Sequence, residues 1–488
     1  MIRSIPKKFP SGLVVLLLAG CAAGPLPKAA RVEPPSHYLA DAAPVSDTAA
    51  DGADQHFEPG APPPAWWHAF DSAALDALVE EGLAHSPSLQ AAQHTLEAAH
   101  EQLRVQIGNN LFPSVDLGFA PSRQRALGIP ILPQQTFLYD VFALEGQASY
   151  RFDFFGAYVN ADRALARQVE QQRLQFEATR RALATNIVIA TINAASLSDT
   201  LEATQQQAAL AEQYAQQVAS RARLGSVSQD ESWAAEQSAA TLAASLPGIR
   251  AQLLTVRHAQ AVLLGRSPEQ APPPLSLESL HLPEHVPLSV PSELLHQRPD
   301  IQAAEAGMRG AAYQAGAAAA LLYPSLTLSA SYGRGGFDWT TFTSPAGALW
   351  SVGATLTQPL FQGGALRAQK REYADLYEAA QSAYRQTVLA AFENVADTLA
   401  SLEQDAEALA QSRRAADAAH AAQLDTAARY RLGAMPWTAA LTADQQYQNA
   451  RGALLRARAA RLADTASLFQ ALGVAPTAAD GAAEKSGH

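Results

Sequence analysis

The chain has 488 residues, with 35 Lys and Arg against 46 Asp and Glu, for a formal net charge of −11. That balance excludes a nucleic-acid binder, which needs a basic surface to displace counterions from phosphates. A single cysteine excludes a disulfide framework and cysteine-based metal clusters. Apolar residues make up 48 % but aromatics only 7 %, and much of the apolar share is alanine, a composition for long, closely packed helices.

In chain order, the first feature is the short apolar run Leu13 to Ala19, preceded by Arg3, Lys7 and Lys8. It is too short to span a bilayer and reads as the h-region of a signal peptide over residues 1–20. Leu18-Ala19-Gly20-Cys21 resembles the lipobox of bacterial lipoproteins. That resemblance implies that Cys21 becomes the first mature residue and carries diacylglycerol and palmitate. An ordinary signal peptide with an incidental cysteine is the alternative. Ala22 follows instead of Asp, which by the same resemblance implies transfer to the outer membrane. Residues 21–64 are rich in Ala, Pro, Asp and Gly, and Pro25, Pro27, Pro34, Pro35, Pro44 and Pro62-Pro63-Pro64 forbid regular helix, so this segment reads as an extended tether.

Beyond the tether the sequence repeats itself. Ser86-Pro87-Ser88-Leu89-Gln90-Ala91-Ala92 matches Arg298-Pro299-Asp300-Ile301-Gln302-Ala303-Ala304, and Leu111-Phe112-Pro113-Ser114 matches Leu322-Tyr323-Pro324-Ser325. Arg223-Leu224-Gly225 matches Arg431-Leu432-Gly433, and Leu264-Gly265 is echoed by Leu472-Gly473. The offset stays near roughly 210 residues, far too long for a solenoid and indicative of two similar halves. We place a first repeat at 65–265, a Pro-rich linker at 266–291, a second repeat at 292–475 and a tail at 476–488.

Each half predicts the same elements. A helix opens at Pro87 or Pro299 and stops before Phe112-Pro113 or Tyr323-Pro324. Alternating apolar residues follow: Val115, Leu117 and Phe119, or Leu326, Leu328, Ala330 and Tyr332. After a loop comes a second such run: Leu144, Gly146, Ala148, Tyr150 and Phe152, or Trp350, Val352, Ala354 and Leu356. A period of two predicts strands with one apolar face. A helix without internal proline is then predicted from Tyr158 to Leu224 and from Ala365 to Leu432. Roughly 65 residues make a rod of about 100 Å. Returning helices end at the Leu-Gly pairs 264–265 and 472–473. Incoming and returning helices, stacked end to end, nearly match one rod in length.

A membrane address, no apolar run long enough for a transmembrane helix, and strands of about 10 residues combine into one expectation. In lipid, strands span only as a closed barrel, and four per chain are too few to close one. Several chains therefore share a barrel, and three would supply twelve strands. A soluble sheet beside an ordinary helical bundle fits the alternation equally well by itself.

The lipobox, the paired Phe-Pro-Ser and Tyr-Pro-Ser strand starts, the Gln358-Pro359-Leu360-Phe361-Gln362-Gly363-Gly364 turn and the paired Leu-Gly tips resemble the TolC/OprM-type outer-membrane efflux factors of the NodT lipoprotein branch. The resemblance implies an α+β membrane protein: a homotrimer with a 12-stranded β-barrel continued by a periplasmic α-helical barrel. It implies a passive, gated duct docked on a periplasmic adaptor and an inner-membrane pump, commonly of the RND type. No enzymatic role and no cofactor follow from it. A periplasmic coiled-coil lipoprotein scaffold without a pore, or the duct of a type I secretion system, are the alternatives.

By the same resemblance, Leu224-Gly225 and Leu432-Gly433 are tips gripped by an adaptor. Asp230, Glu231 and Tyr430 match gate positions. The second half departs from the family: two positions often acidic are Ala439 and Thr442, and the nearest carboxylate is Asp444. Met435 and Trp437 suggest an apolar constriction instead. As structural features alone, the glycines read as C-caps and Asp230 and Glu231 as dipole-complementing charges at a helix start. Tyr139, Phe142, Trp339, Phe342 and Trp350 flank the strands as an interfacial belt, and Gly333-Arg334-Gly335-Gly336 reads as a loop tip. His94 and His100 lie six apart on one helix, which is not one face. No nucleophile, metalloprotease or P-loop pattern occurs.

Overall fold

The computed structural model describes Pro34, Pro35, Tyr38 and residues 55–127 and 136–473. The signal segment, Cys21, the tether up to residue 54 apart from Pro34, Pro35 and Tyr38, and the tail lie outside the described residues; the last part of the expected tether, from Gln55, is described and contains β1. In chain order the elements are β1 (His56–Pro59), α1 (Ala73–His85), α2 (Pro87–Leu111), β2 (Ser114–Phe119), β3 (Ser122–Leu127), β4 (Thr136–Phe152), α3 (Ala157–Arg223) and α4 (Gln229–Leu263). There follow β5 (His285–Leu288), α5 (Pro291–Gln297), α6 (Pro299–Ala320), β6 (Ser325–Gly336), α7 (Trp339–Thr343), β7 (Ala348–Thr357), α8 (Ala365–Arg431) and α9 (Trp437–Leu472). Both α3 and α8 run 67 residues. The residues form two compact units, one of 96–172 and 303–385, the other of 32–95, 173–302 and 386–488 as far as they are described.

The first unit holds an antiparallel sheet in the order β2-β4-β6-β7, with β3 also paired to β4. β2 and β3 are one strand in register: Phe119 faces Leu144 and Ser122 faces Val141, with no residue gained or lost between them. Pro121 divides them. Ala120 donates its N–H to the Ala143 carbonyl at 2.8 Å, so the next backbone nitrogen, that of Pro121, faces away from β4 toward the free edge. An edge is where a strand tolerates a residue without N–H. Beside the sheet, α6 packs closely on α3. A Cβ on Gly307 would meet the Gln171 side chain at 3.3 Å, and one on Gly310 the Ala164 carbonyl at 3.4 Å.

The strands run further than the alternation suggests. The loop expected before Leu144 is strand from Thr136, and the first strand resumes after Pro121 as far as Leu127. These extensions carry Arg123, Gln124, Arg125 and Asp140, so no apolar face announces them. The Gly333–Gly336 run is not a loop tip. It is the end of β6, paired with Phe142 through Glu145. A Cβ on Gly333 would lie 2.2 Å from the Leu144 carbonyl oxygen, so close backbone approach, not turning, requires glycine there. Tyr139, Phe142 and Trp350 lie within strands rather than beside them.

In the second unit, Trp66, Phe70 and Phe469 pack their rings together. Leu75, Val79, Ile187, Ile192 and Leu264 are likewise buried in this unit. β1 pairs parallel with β5, His56 opposite His285, and Gln55 donates to the Pro283 carbonyl at 3.2 Å and to Thr465 Oγ1 at 3.4 Å.

Two helix ends meet head-on in this unit. Gly265, just past α4, has φ +76°, and a Cβ there would lie 2.5 Å from the His85 carbonyl oxygen and 3.4 Å from Pro87. Gly473, just past α9, has φ +77°, and its Cβ would lie 2.7 Å from the Gln297 carbonyl oxygen. Returning helices thus abut the starts of the incoming helices α2 and α6. Each seam is pinned by an arginine. Arg266 forks onto Glu81 at 2.6 and 2.7 Å, and Arg298 donates to the Ala471 carbonyl at 3.0 Å while paired with Asp300 at 2.6 Å.

Candidate functional site: an amphipathic sheet and two hairpin tips

Register assigns every strand residue to one of two faces. Val115, Leu117, Phe119, Leu144, Ala148, Tyr150, Phe152, Leu326, Leu328, Ala330, Tyr332, Trp350, Val352, Ala354 and Leu356 share one face. The other carries Ser114, Asp116, Glu145, Gln147, Ser149, Arg151, Thr327, Ser329, Ser331, Ser351, Thr355 and Thr357. A soluble sheet buries its apolar face. Here Leu117 is 77 % exposed, Val352 76 % and Trp350 75 %. Apolar surface on this scale marks a membrane or partner contact.

The tips lie in the second unit. α3 and α8 both end in a Schellman motif. Ser226 N–H donates to the Arg221 carbonyl at 3.0 Å and Gly225 N–H to Ala222 at 3.0 Å; Ala434 and Gly433 do the same to Arg429 and Tyr430, at 2.9 Å each. Gly225 and Gly433 have φ +79° and +75°, which a Cβ resists, and nothing lies within 4 Å of either Cβ position. Leu224 and Leu432 beside them are 84 % and 83 % exposed.

A notch of about 510 Å³ opens beside these caps, lined by Arg221, Val227, Glu231, Tyr430, Met435 and Trp437, among others. Asp230 is not part of its wall. Both acids sit in the first turn of α4, where Ser228 Oγ accepts the Glu231 N–H at 3.2 Å, so they complement the helix N-terminus. Trp437 inserts between the hairpins. Its ring lies over Tyr214 with the planes 19° apart, and it meets Tyr430 edge-on at 5.3 Å. It packs against an otherwise first-hairpin cluster of Ala211, Tyr214, Val218, Ala235 and Ala239. Gln445 donating to Ser238 at 2.9 Å adds a polar link between α9 and α4. Ala439, Thr442 and Met435 line a separate shallow groove. Asp444 accepts from Gln423 at 3.2 Å, and burial raises its carboxyl above the ordinary range. Tyr214 was invisible to sequence reading, because no local pattern ties it to Trp437.

Further along the same helices lies a charged cluster. Burial, then the neighbouring Asp464, raises the Asp405 carboxyl to about 6, against the opposing pull of Arg461. Arg461 is 2 % exposed and donates to the Leu402 carbonyl. A folded-state value above the unfolded one means the native state binds the proton more tightly. Stability from this group is therefore greatest in acid and falls as pH rises from about 4 to about 6. Asp405→Asn should raise the thermal midpoint at pH 7.5, with the gain shrinking below pH 5. An equal gain at both values would remove the carboxyl as its cause.

Residues 78–266 and 290–474 match the family described as "Outer membrane efflux protein". The chain belongs to that family and is an outer-membrane efflux protein. It is 30 % identical over 416 residues to the pyoverdine export outer membrane protein OpmQ of Pseudomonas putida, covering 84 % of this chain and 87 % of the relative. It is 24 % identical over 466 residues to nodulation protein T of Rhizobium leguminosarum, covering 92 % and 90 %. The crystal structure of the outer membrane protein VceC from Vibrio cholerae superposes with a TM-score of 0.73 at 27 % identity, covering 85 % of this chain and 99 % of that one. OpmQ and VceC are both named as outer membrane proteins, and OpmQ as an export protein.

Proposed function

We propose that three copies of this chain close a 12-stranded barrel in the outer membrane, continued by a tunnel of helices, as the passive, gated duct of a tripartite efflux system. The observation that carries this is the sheet: one face is apolar from Val115 to Phe119, Leu144 to Phe152, Leu326 to Tyr332 and Trp350 to Leu356, much of it exposed, the other is polar, and the edges at β2–β3 and β7 are free. In lipid an open edge leaves backbone groups without partners, so the edges must pair with further copies. The apolar face then meets lipid and the polar face lines the lumen. The Leu224-Gly225 and Leu432-Gly433 tips are the docking points for a periplasmic adaptor, since uncovered glycine backbone admits close approach of another helix tip. An inner-membrane pump of RND type supplies the energy, and lipid on Cys21 anchors the mature chain.

In this reading the closed gate is an aromatic latch. Trp437 of the second hairpin is held by Tyr214 of the first, with Tyr430 and Glu231 beside it, while Asp230 and Asp444 contribute through helix capping and helix pairing. The mass of the detergent-extracted protein, less bound detergent, should equal three mature chains. A water-soluble monomer would remove the barrel. In planar bilayers Trp437→Ala should raise basal conductance several-fold, and Asp230→Ala should leave it unchanged. The reverse pattern would return the gate to the carboxylates.

A further inference from the structure

Three arginines lie on the wrong face of the sheet for a simple lipid wall. Register sets Arg123 opposite Asp140, Arg125 opposite Leu138 and Arg334 opposite Leu144. All three share the face of Leu117, Leu328 and Val352. All lie away from the strand termini that lead into α2, α3, α6 and α8: Arg334 level with Leu144 and two residues from the end of β6, Arg123 and Arg125 four and six residues further along β4. At the helix-connected end the same face finishes in Val115, Phe152, Leu326 and Leu356, and Arg151 there lies on the polar face. An outward arginine is costly at the bilayer midplane and nearly free at the interface. Arg123 and Arg125 lie two and four positions beyond Pro121, which faces Phe142 in the strand register. On the barrel reading above, that puts them at headgroup depth.

Among the described residues Arg123 alone of the three has an acid paired with it. Arg123 Nε is 3.6 Å from Asp140, with both side chains exposed. Arg125 forms no ion pair among the described residues. Arg334 spends one N–H on the Thr343 carbonyl at 2.6 Å, which leaves the rest of its five-donor fork. Asp338 is committed to Thr341, accepting its N–H and its hydroxyl at 2.8 Å each. Glu145 and Asp116 point to the opposite face. Beside the arginines stands an aromatic shelf in which Phe142, Trp339 and Phe342 touch one another.

Resting on the barrel reading above, we propose that this outward rim is a docking surface for the phosphorylated glycolipid of the outer leaflet. Guanidinium forks bind phosphate oxygens bidentately, which a phosphate-rich headgroup rewards repeatedly. The apolar band below takes the acyl chains without interruption, and the shelf covers the junction. Charge complementarity selects this occupant. A zwitterionic phospholipid offers one phosphate offset by its own amine.

The test uses the full-length protein, extracted from outer membranes in mild detergent. Native mass spectrometry counts retained glycolipid, and Trp fluorescence follows titration with purified lipopolysaccharide, its dephosphorylated form and phosphatidylglycerol micelles. The wild type should retain glycolipid. Arg123→Gln combined with Arg125→Gln and Arg334→Gln should weaken lipopolysaccharide binding at least tenfold while the oligomer stays intact. The triple Lys variant should fall between. Equal retention by wild type and Gln variant, or equal binding of dephosphorylated or simple phospholipid, would overturn the proposal. If the Gln variant does not assemble, the wild type and Lys variant still decide it by their preference for phosphorylated glycolipid. A wild type that is soluble without detergent would overturn the barrel reading first, a result read from mass alone.

Discussion

Leu328→Arg should reduce the outer-membrane oligomer at least tenfold. Leu328 stands on the apolar face, fourth of the twelve residues of β6, between Tyr150 and Ala354 across the ladder. A guanidinium at that depth has neither water nor a counter-ion within reach. The cost is about 2–4 kcal/mol per chain at the midplane and falls toward the interface, and a shared barrel would incur it in every copy. Ser329→Arg, one residue on, makes the decisive contrast. Ser329 lies on the polar face between Ser149 and Gly353, so that variant should assemble and shift ion selectivity toward anions. Heat-resistant oligomer on gels of outer-membrane fractions measures both. Equal assembly of the two variants would mean that the apolar face does not meet lipid.

Gly265→Ala and Gly473→Ala should destabilise far more than Gly225→Ala. All three glycines hold a positive φ, +76°, +77° and +79°, and Gly473, with ψ −166°, sits in a region all but reserved for glycine. Positive φ alone costs an L-residue about 1–2 kcal/mol. At Gly225 nothing more is added, because no atom lies within 4 Å of the new methyl. At Gly265 and Gly473 the methyl would strike the backbone carbonyls of His85 and Gln297. Rigid backbone cannot rotate aside as a side chain would, and overpacking of this kind adds ~1–3 kcal/mol. Thermal midpoints in detergent should therefore rank wild type, then Gly225→Ala, then the two seam variants. A seam variant no worse than Gly225→Ala would show that the helix ends are not in firm contact.

What was legible in the sequence follows from what each signal depends on. The long helices, their Leu-Gly ends and the strand cores were legible because each rests on local chemistry: unbroken helical composition, a glycine at the αL position, a period of two. The outer ends of the strands were not. Beyond Pro121 the residues facing outward are Arg123 and Arg125, and a strand with no apolar face has no periodic signature. The Gly333–Gly336 run was misread because glycine serves both turning and close approach, and only the neighbouring Leu144 carbonyl decides which. At the tips, the glycine caps and Trp437 stood out, whereas Tyr214 did not. Its importance comes from a partner on a distant helix, and single-sequence patterns do not encode such pairs. Asp230 and Glu231 occupy adjacent positions in the sequence, yet only Glu231 reaches the notch, because successive helical residues point about 100° apart.

The head-on seams have a mechanical meaning. α3 and α8 are covalently continuous, so they bear load in either direction. The returning helices meet their neighbours only by contact at Gly265 and Gly473. A push along the axis presses those backbones onto the carbonyls of His85 and Gln297 and is transmitted at once. A pull meets no such stop: across the seams the Arg266–Glu81 fork and the Arg298 bond to Ala471 oppose it, with lateral bonds such as Gln260 to Thr191 beside them. Each half is thus stiff in compression and yielding in tension. Force applied at the tips would part the structure first at these two joints, leaving the long helices whole.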